Sequence, residues 1–398
     1  MNEWKEHKLG DVSSIQTGPF GSQLHKSDYK PTGIPCIMPC NISANLDICC
    51  DNIAYISEED ANRLCKHKTQ TGDIIYSRRG DIEKCAYISE IESGWVCGTG
   101  CLKIRIDSKK ANPKFIAYQL STPLVKSWIV GSAVGTTMLN LNTSILADCP
   151  ISLPSLPIQQ KIANILSSLD DKIEVNRRIN EQLEELAQAL FNKMFFENNE
   201  LERLPLSNFA NINPTRTLSK GTEARYVEMA NLPTKGSFPM DWSLKSYEGG
   251  MKFTNGDTIM ARITPCLENG KTAYIDFLDE NEVAFGSTEY IVISAKEDFC
   301  PALFYFLARN NEFVDYAVSH MNGSSGRQRV SGADIANFLM PNISTEDSNR
   351  FAEVAMPIMD VIRNNSLENR HLTTLRDTLL PKLMSGEMDV NERGIERN

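Results

Sequence analysis

The residues of this 398-residue chain best suited to chemistry are arginines set beside glycines. Arg78 and Arg79 follow an apolar run and precede Gly80, with Lys84 just beyond. Arg262 follows a second such run, and Lys271 stands downstream of it. A third cluster reads Ser324-Ser325-Gly326-Arg327-Gln328-Arg329. Its counterpart 191 residues upstream is the neutral Val134-Gly135-Thr136-Thr137-Met138. A guanidinium suits the O6/N7 edge of guanine or a phosphate. A glycine-rich polar loop can approach a groove or a phosphate closely. Arg327, Gln328 and Arg329, with Ser324 and Ser325 beside them and Thr136 and Thr137 in the other loop, are therefore candidate nucleic-acid contacts. Arg78, Arg79, Lys84, Arg262 and Lys271 join them, with a solvated or ion-paired side chain as the competing reading. Ser22 and Gln23, after the Gly18–Gly21 loop, are weaker candidates that a plain turn explains as well.

Catalytic constellations do not emerge. An amino-methyltransferase needs a glycine-rich cofactor turn and an Asn/Asp-Pro-Pro-aromatic loop, and neither is present. Gly270-Lys271-Thr272 mimics the end of a phosphate-binding loop, but Pro265 stands where that pattern needs glycine. His7, His25, His67, His320 and His371 show no metal spacing and read as surface or hydrogen-bonded residues. Cys36/Cys40 and Cys97/Cys101 invite a zinc reading. Both pairs lie in apolar runs, where free cysteine behaves as a small buried hydrophobe, and no metal is expected.

The net charge is −10: neutral over residues 1–156, −2 over 157–199, −5 over 200–342 and −3 over 343–398. No segment has the basic footprint of a self-sufficient nucleic-acid binder, so contacts must come from local clusters. The apolar fraction of 41% with 23% charged residues excludes disorder as the dominant state, and no apolar run is long enough to span a membrane. Met1–Lys8 lacks the apolar run of a secretory signal. A cytoplasmic chain with free thiols is expected.

Two long helices must position these clusters. The first is expected over about 157–198, with apolar steps of three and four that include Ile162, Leu169, Ile173, Leu183 and Leu190. The second is expected over about 345–385, through Ile358, Leu372 and Leu379, with Ser344 and Asp347 at its start and Gly386 at its stop. Pro357 should kink it or split it. Asn176 and Asn365 interrupt the two stripes at equivalent places, either fixing register in a seam or facing solvent.

The sequence repeats itself. Leu183, Leu186, Leu190 and Lys193 fall on Leu372, Leu375, Leu379 and Lys382 at a shift of 189. Gly72–Arg78 falls on Gly256–Arg262 at 184, and Lys84–Ile88 on Lys271–Ile275 at 187. A tandem duplication follows. Each repeat has strands (Ile74–Ser77 and Cys101–Ile106; Thr258–Ala261 and Tyr290–Ser294) and a helical patch (Lys114–Ile129; Pro301–Val318) before its long helix. The expected fold is α+β: two tandem α/β domains separated by two long helices packed as an antiparallel coiled coil, with a pseudo-twofold internal repeat. The expected boundaries are 1–155, 156–198, 199–343 and 344–389, with a tail at 390–398. A coiled-coil protein-interaction scaffold without DNA specificity is the alternative function.

Over nearly its whole length the chain resembles the specificity (S) subunit of type I restriction–modification enzymes. The resemblance rests on Trp4-Lys5-x-x-Lys8-Leu9-Gly10-Asp11-Val12, Gly18-Pro19-Phe20-Gly21-Ser22, Gly33-Ile34-Pro35 with Asn41-Ile42, and Gly72-Asp73-Ile74-Ile75 leading to Ser77-Arg78. Ile151-Ser152-Leu153-Pro154 before Gln159-Gln160-Lys161-Ile162-Ala163, the run Ala261–Lys271, and Leu379–Glu387 complete it. Ser344–Asn349 departs from the family's pattern ahead of the second helix. The resemblance implies two target-recognition domains, each reading half of a bipartite double-stranded DNA sequence. It implies helices that act as a ruler and dock two methyltransferase subunits, through which nuclease-translocase subunits join. S-adenosylmethionine, ATP and magnesium would then be held by those partners, with no cofactor on this chain.

Overall fold

A computed structural model describes residues 4–134, 139–197, 202–324 and 326–390. The chain forms two compact units, Met1–Asp170 with Thr373–Asn398, and Asp171–Leu372. Each unit holds one mixed α/β domain together with part of both long helices.

In the first unit the strands Ser13–Thr17, Cys101–Ile106, Asp73–Ser77 and Cys85–Tyr87 lie side by side in that order, all antiparallel. In the second unit Ala210–Ile212, Tyr290–Ala295, Asp257–Ala261 and Thr272–Tyr274 repeat the arrangement. The central strands Asp73–Ser77 and Asp257–Ala261 are buried at every position. That explains why they read as continuous apolar runs and not as alternating ones. Each unit adds a second four-stranded sheet with one parallel pair: Ile34–Ile37 with the edge strand Val96–Cys97, and the two central strands Glu223–Val227 and Ala284–Gly286. The repeats diverge at the edges of that sheet. The first adds Tyr29–Lys30 outside Ala54–Ile56, and the second adds Met251–Phe253 beside Ala284–Gly286.

Each helical patch is two helices, Pro113–Leu120 with Pro123–Ser132, and Ala302–Ala308 with Asn311–Ser319. The breaks fall at capping residues: the Thr122 side chain accepts from Val125 N–H, and Asn310 from Glu312 and Phe313 N–H.

One buried carboxylate is duplicated while its partner is not. Asp73 Oδ2 accepts from Gln70 N–H at 2.8 Å, and Asp257 Oδ2 from Thr254 N–H at 2.7 Å. Asp73 is then clamped by Arg105, directly across the strand pair, at 2.7 Å to both oxygens. Asp257 is held instead by Arg216, from the loop after Ala210–Ile212. The position across from Asp257 is Ser294. The same buried charge is neutralised from two different directions.

The first long helix runs Leu156–Phe191 and continues as a π-turn over Asn192–Phe196. The second runs Thr345–Met384 without interruption. Its start is as expected: Asp347 N–H donates to Ser344 Oγ at 3.0 Å. Pro357 does not split it. The proline is exposed while Phe351, Ala355, Ile358, Met359 and Ile362 around it are buried. Its missing backbone bond therefore falls on the solvent side, and packing offsets the roughly 3 kcal/mol that proline costs in a helix interior.

Within the second unit the helices run antiparallel through four asparagines. Asn176 Nδ2 donates to Asn369 Oδ1 at 2.9 Å, and Asn365 Nδ2 donates to Asn180 Oδ1 at 2.8 Å. Asn180 Nδ2 reaches the Ile362 carbonyl at 3.3 Å, and Asn369 Nδ2 the Ile173 carbonyl at 3.2 Å. Every member of one set maps onto the other at a shift of 189, so the seam carries a local twofold. Asn176 is fully buried and Asn365 half-buried, which places both in the seam and not toward solvent. Below the quartet Phe191, Phe195, Phe306 and Phe351 pack edge to face. In the first unit Asp170 binds Arg376 at 2.8 Å and Tyr118 Oη at 2.5 Å, and Leu383 and Met384 are buried beside Ile162 and Leu166.

The expected seam residues Ile162 and Ile358 are buried, and Leu169, Ile173, Leu183, Leu190, Leu372 and Leu379 are half-buried. Ile179, Leu186, Val354, Val361 and Leu375, from the same stripes, are exposed. The apolar stripe is wider than one helix–helix contact can cover.

Candidate nucleic-acid interface

The two kinds of candidate loop, far apart in sequence, meet in each unit. In the first, strand Asp73–Ser77 delivers Arg78, whose N–H donates to the Gly100 carbonyl at 2.8 Å. Leu141 N–H donates to the Arg78 carbonyl at 3.0 Å, and Arg78 Nε returns a bond to the Leu141 carbonyl at 3.2 Å. Arg79 bridges Asn140, and Asn140 bridges Val134. The arginine turn is thus laced to both ends of the loop that carries Thr136 and Thr137, which themselves lie outside the described residues. Arg79 is exposed and Arg78 half-buried. Lys84 Nζ lies 3.0 Å from Asp81 Oδ2.

The Gly18–Gln23 loop leans on the same turn. A side chain at Gly18 would put its Cβ 2.0 Å from the Gly98 carbonyl oxygen, so only glycine permits this approach. Thr99 Oγ1 donates to the Pro19 carbonyl at 2.9 Å. Ser22 is exposed; Gln23 is half-buried and its carbonyl accepts from Arg63 at 2.8 Å.

The second unit repeats the lacing with different side chains. Arg262 N–H donates to the Glu289 carbonyl at 3.0 Å, and Val330 N–H to the Arg262 carbonyl at 3.0 Å. Ile263 bridges Arg329, which bridges Asn322. Thr264 N–H donates to the Gln328 carbonyl at 3.0 Å, and Arg327 N–H to the Ser324 carbonyl at 3.0 Å. These contacts pair Val134 with Asn322, Asn140 with Arg329 and Leu141 with Val330. The loops therefore correspond at a shift of 188–189, not at the 191 read from the sequence.

Ser324 and Arg327 are exposed and Gln328 half-buried; Ser325 lies outside the described residues. Lys271 Nζ donates to the Met229 carbonyl at 2.6 Å. Arg262 is half-buried, and its Nε finds no acceptor among the described residues. The Arg329 guanidinium grips Glu289, with Nε 2.9 Å from both carboxylate oxygens and Nη2 2.7 Å from Oε1. Arg329 beside it holds the Glu289 carboxyl below the usual range.

Residues 1–185 match the family described as type I restriction modification DNA specificity domain. The type I restriction enzyme HindI specificity subunit of Haemophilus influenzae is 21% identical over 98% of this chain and all of its own length. The MjaIX specificity subunit of Methanocaldococcus jannaschii is 25% identical over 98% of this chain and 94% of its own. A crystal structure of the type I restriction–modification S subunit from M. genitalium covers 96% of each chain with a TM-score of 0.64 at 16% identity, a likeness of fold. Through its first 185 residues, and through relatives aligned over nearly its whole length, the chain is similar to type I restriction–modification specificity subunits.

The matched family's description is one of DNA specificity. Among the described residues no cluster of three or more His, Cys, Asp or Glu could hold a metal, and no helix is long and apolar enough to cross a membrane. Burial pushes the Cys36 and Cys97 thiols up to about 12, as expected of cysteines in apolar runs. Cys40 is exposed, unlike its partner in the expected pair, because it sits in the turn after the strand. His67 is buried and not on the surface.

Three residues of these loops escaped the sequence reading. Glu289 and Asn140 carry no local signal, since their partners lie 40 and 61 residues away. Phe20, at the centre of the quoted glycine loop, is 59% exposed, and an aromatic flanked by glycines was the available clue.

Proposed function

We propose that this chain reads a bipartite double-stranded DNA target, one half-site per α/β domain, for a type I restriction–modification complex. The observation that carries this reading is the duplicated interface. In both domains a strand delivers an arginine into a turn laced to a second polar loop, and three backbone links recur: Arg78 with Gly100, Arg78 with Leu141 and Val134 with Asn140 in the first, Arg262 with Glu289, Arg262 with Val330 and Asn322 with Arg329 in the second. Arg78, Arg79, Thr136 and Thr137, with Ser22 and Gln23, serve the first domain. Arg262, Ser324, Ser325, Arg327 and Gln328 serve the second. Lys84 and Lys271 flank them as phosphate-side charges.

The long helices dock two methyltransferase subunits, and nuclease-translocase subunits join through those. Exposed Ile179, Leu186, Val361 and Leu375 on the two helices are apolar surface of the kind a partner covers. S-adenosylmethionine, ATP and magnesium belong to those partners, and the complex works in the cytoplasm. The acidity fits this division: partner subunits supply much of the phosphate-neutralising charge, so the isolated chain binds DNA weakly and with strong salt dependence.

The test is a map of methylated adenine across the host genome with and without this gene. Loss of methylation at a bipartite motif with a fixed unread gap is the expected result. An unchanged map, in a host where the partner subunits are expressed, refutes the reading and brings the protein-interaction scaffold forward.

A further inference from the structure

We infer that Arg329 is a positioning residue and not a DNA reader: its ion pair with Glu289 braces the loop that presents Arg327 and Gln328 to the bases. The inference rests on the DNA-reading function proposed above. To read a guanine, an arginine offers two parallel N–H donors to O6 and N7. In Arg329 that fork is already spent, Nε and Nη2 on the Glu289 carboxylate and Nη1 on the Arg327 carbonyl at 3.1 Å.

The brace acts on the right segment. Glu289 accepts Arg262 N–H with its backbone while its side chain holds Arg329. One residue therefore fixes both loops of the interface. Arg329 is also the double bridge partner of Asn322 and Ile263, and the neighbouring Gln328 carbonyl is pinned by Thr264 N–H. With the Arg329 fork taken up by Glu289, Arg327 stands exposed and Gln328 half-buried beside it. Glutamine matches the N6/N7 edge of adenine and arginine the O6/N7 edge of guanine. Arg327 and Gln328 are the specificity-determining pair of the second domain, for purines in its half-site.

Among the described residues the first domain shows no such brace. Gly100 supplies the carbonyl that Glu289 supplies in the second, and Asn140 stands where Arg329 stands. Breaking the brace therefore touches one half-site and spares the other, a readout that a general folding defect does not produce.

The experiment expresses the full chain with its methyltransferase subunits in a methylation-free host and reads the methylated motif. Glu289→Arg and Arg329→Glu singly should cut methylation of the wild-type motif on the order of 10-fold or more, the scale of a misplaced contact, or relax one half-site only. The exchanged pair Glu289→Arg with Arg329→Glu restores the ion pair with its charges swapped and should restore the motif. Gln328→Ala should relax a position in the same half-site. If the exchanged pair stays as inactive as Arg329→Glu while remaining soluble and folded, Arg329 itself reads DNA and the brace is wrong. If the exchanged pair does not fold, Glu289→Gln decides: degeneracy confined to one half-site supports the brace, and an unaltered motif overturns it. Absence of a bipartite motif in the wild-type map would refute the DNA-reading function itself, which is a separate outcome.

Discussion

The asparagine quartet makes an energetic claim that can be measured. Asn176 is fully buried, and truncation to alanine removes its bonds to Asn369 at 2.9 Å and to Glu368 at 2.7 Å. The Glu368 carboxylate is solvent-exposed and adds little. A neutral hydrogen bond nets roughly 1 kcal/mol, and a buried group left without its partner costs about 1–3 kcal/mol. Asn176→Ala should therefore destabilise by about 1–3 kcal/mol, and Asn369→Ala likewise. The double variant should cost less than the two together, with a coupling of about 1 kcal/mol, since the shared bond is lost only once. The local twofold then demands a matching number. Asn365→Ala with Asn180→Ala breaks a bond of 2.8 Å in the same setting and should show a coupling within a few tenths of a kcal/mol of the first. Urea unfolding followed by far-ultraviolet circular dichroism measures all six variants. Zero coupling in both pairs would refute the claim that these side chains hold the seam. Coupling in one pair alone would show that the twofold is geometric only.

Other expectations follow from single sites. Burial holds His67 near a pKa of about 4, below its ordinary 6.5. The unfolded chain therefore takes up a proton first, and stability drains away as pH falls from about 6.5 to 4; thermal melts across that range should show the loss, and His67→Phe should flatten it. Asp276 has the opposite sign. Burial, reinforced by Asp360 and opposed by Arg363, raises it to about 7. The folded state holds its proton longer, so stability falls as pH rises from about 4 to 7, and the gain from Asp276→Asn should grow over that window and level off above it. Gly386 closes the second helix at φ +75°, where an added Cβ would stand only 2.4 Å from Trp4 Nε1. Gly386→Ala should cost about 1 kcal/mol or more in a denaturation titration. Finally, Arg327→Ala in the assembled complex should relax one base position at a cost of about 1–3 kcal/mol; a uniform loss of binding with the salt slope lowered by about one would assign it to phosphate and refute base reading. A filter-binding series in salt separates the two.

Much of this architecture was legible in the residues. Cys101–Ile106 is the strand its apolar run announces, and Ser344 with Asp347 starts the second helix as their spacing says. Such signals are local: a period of two or of 3.6, a cap three residues ahead, a glycine at a turn. The duplication was legible because it repeats those signals in order. The candidate loops were legible as composition, arginine beside glycine, but not as a surface. Arg79 and Asn140, or Ile263 and Arg329, share no period or motif, and they meet only because strand pairing brings the ends of distant segments to one place.

Local residue order set the two repeats, the two helices, most central strands and the polar character of the loops. Each is set by which residues stand within a few positions of one another. The tertiary structure alone decided the partners. It turned Arg329 onto Glu289, met Asp257 with Arg216 where its counterpart uses Arg105, joined Asn180 and Asn369 to the two asparagines that stood out, and let Pro357 pass through a helix. A charged or amide side chain accepts any complementary group that packing delivers. Which one arrives depends on the closure of the whole chain, and no local spacing encodes it.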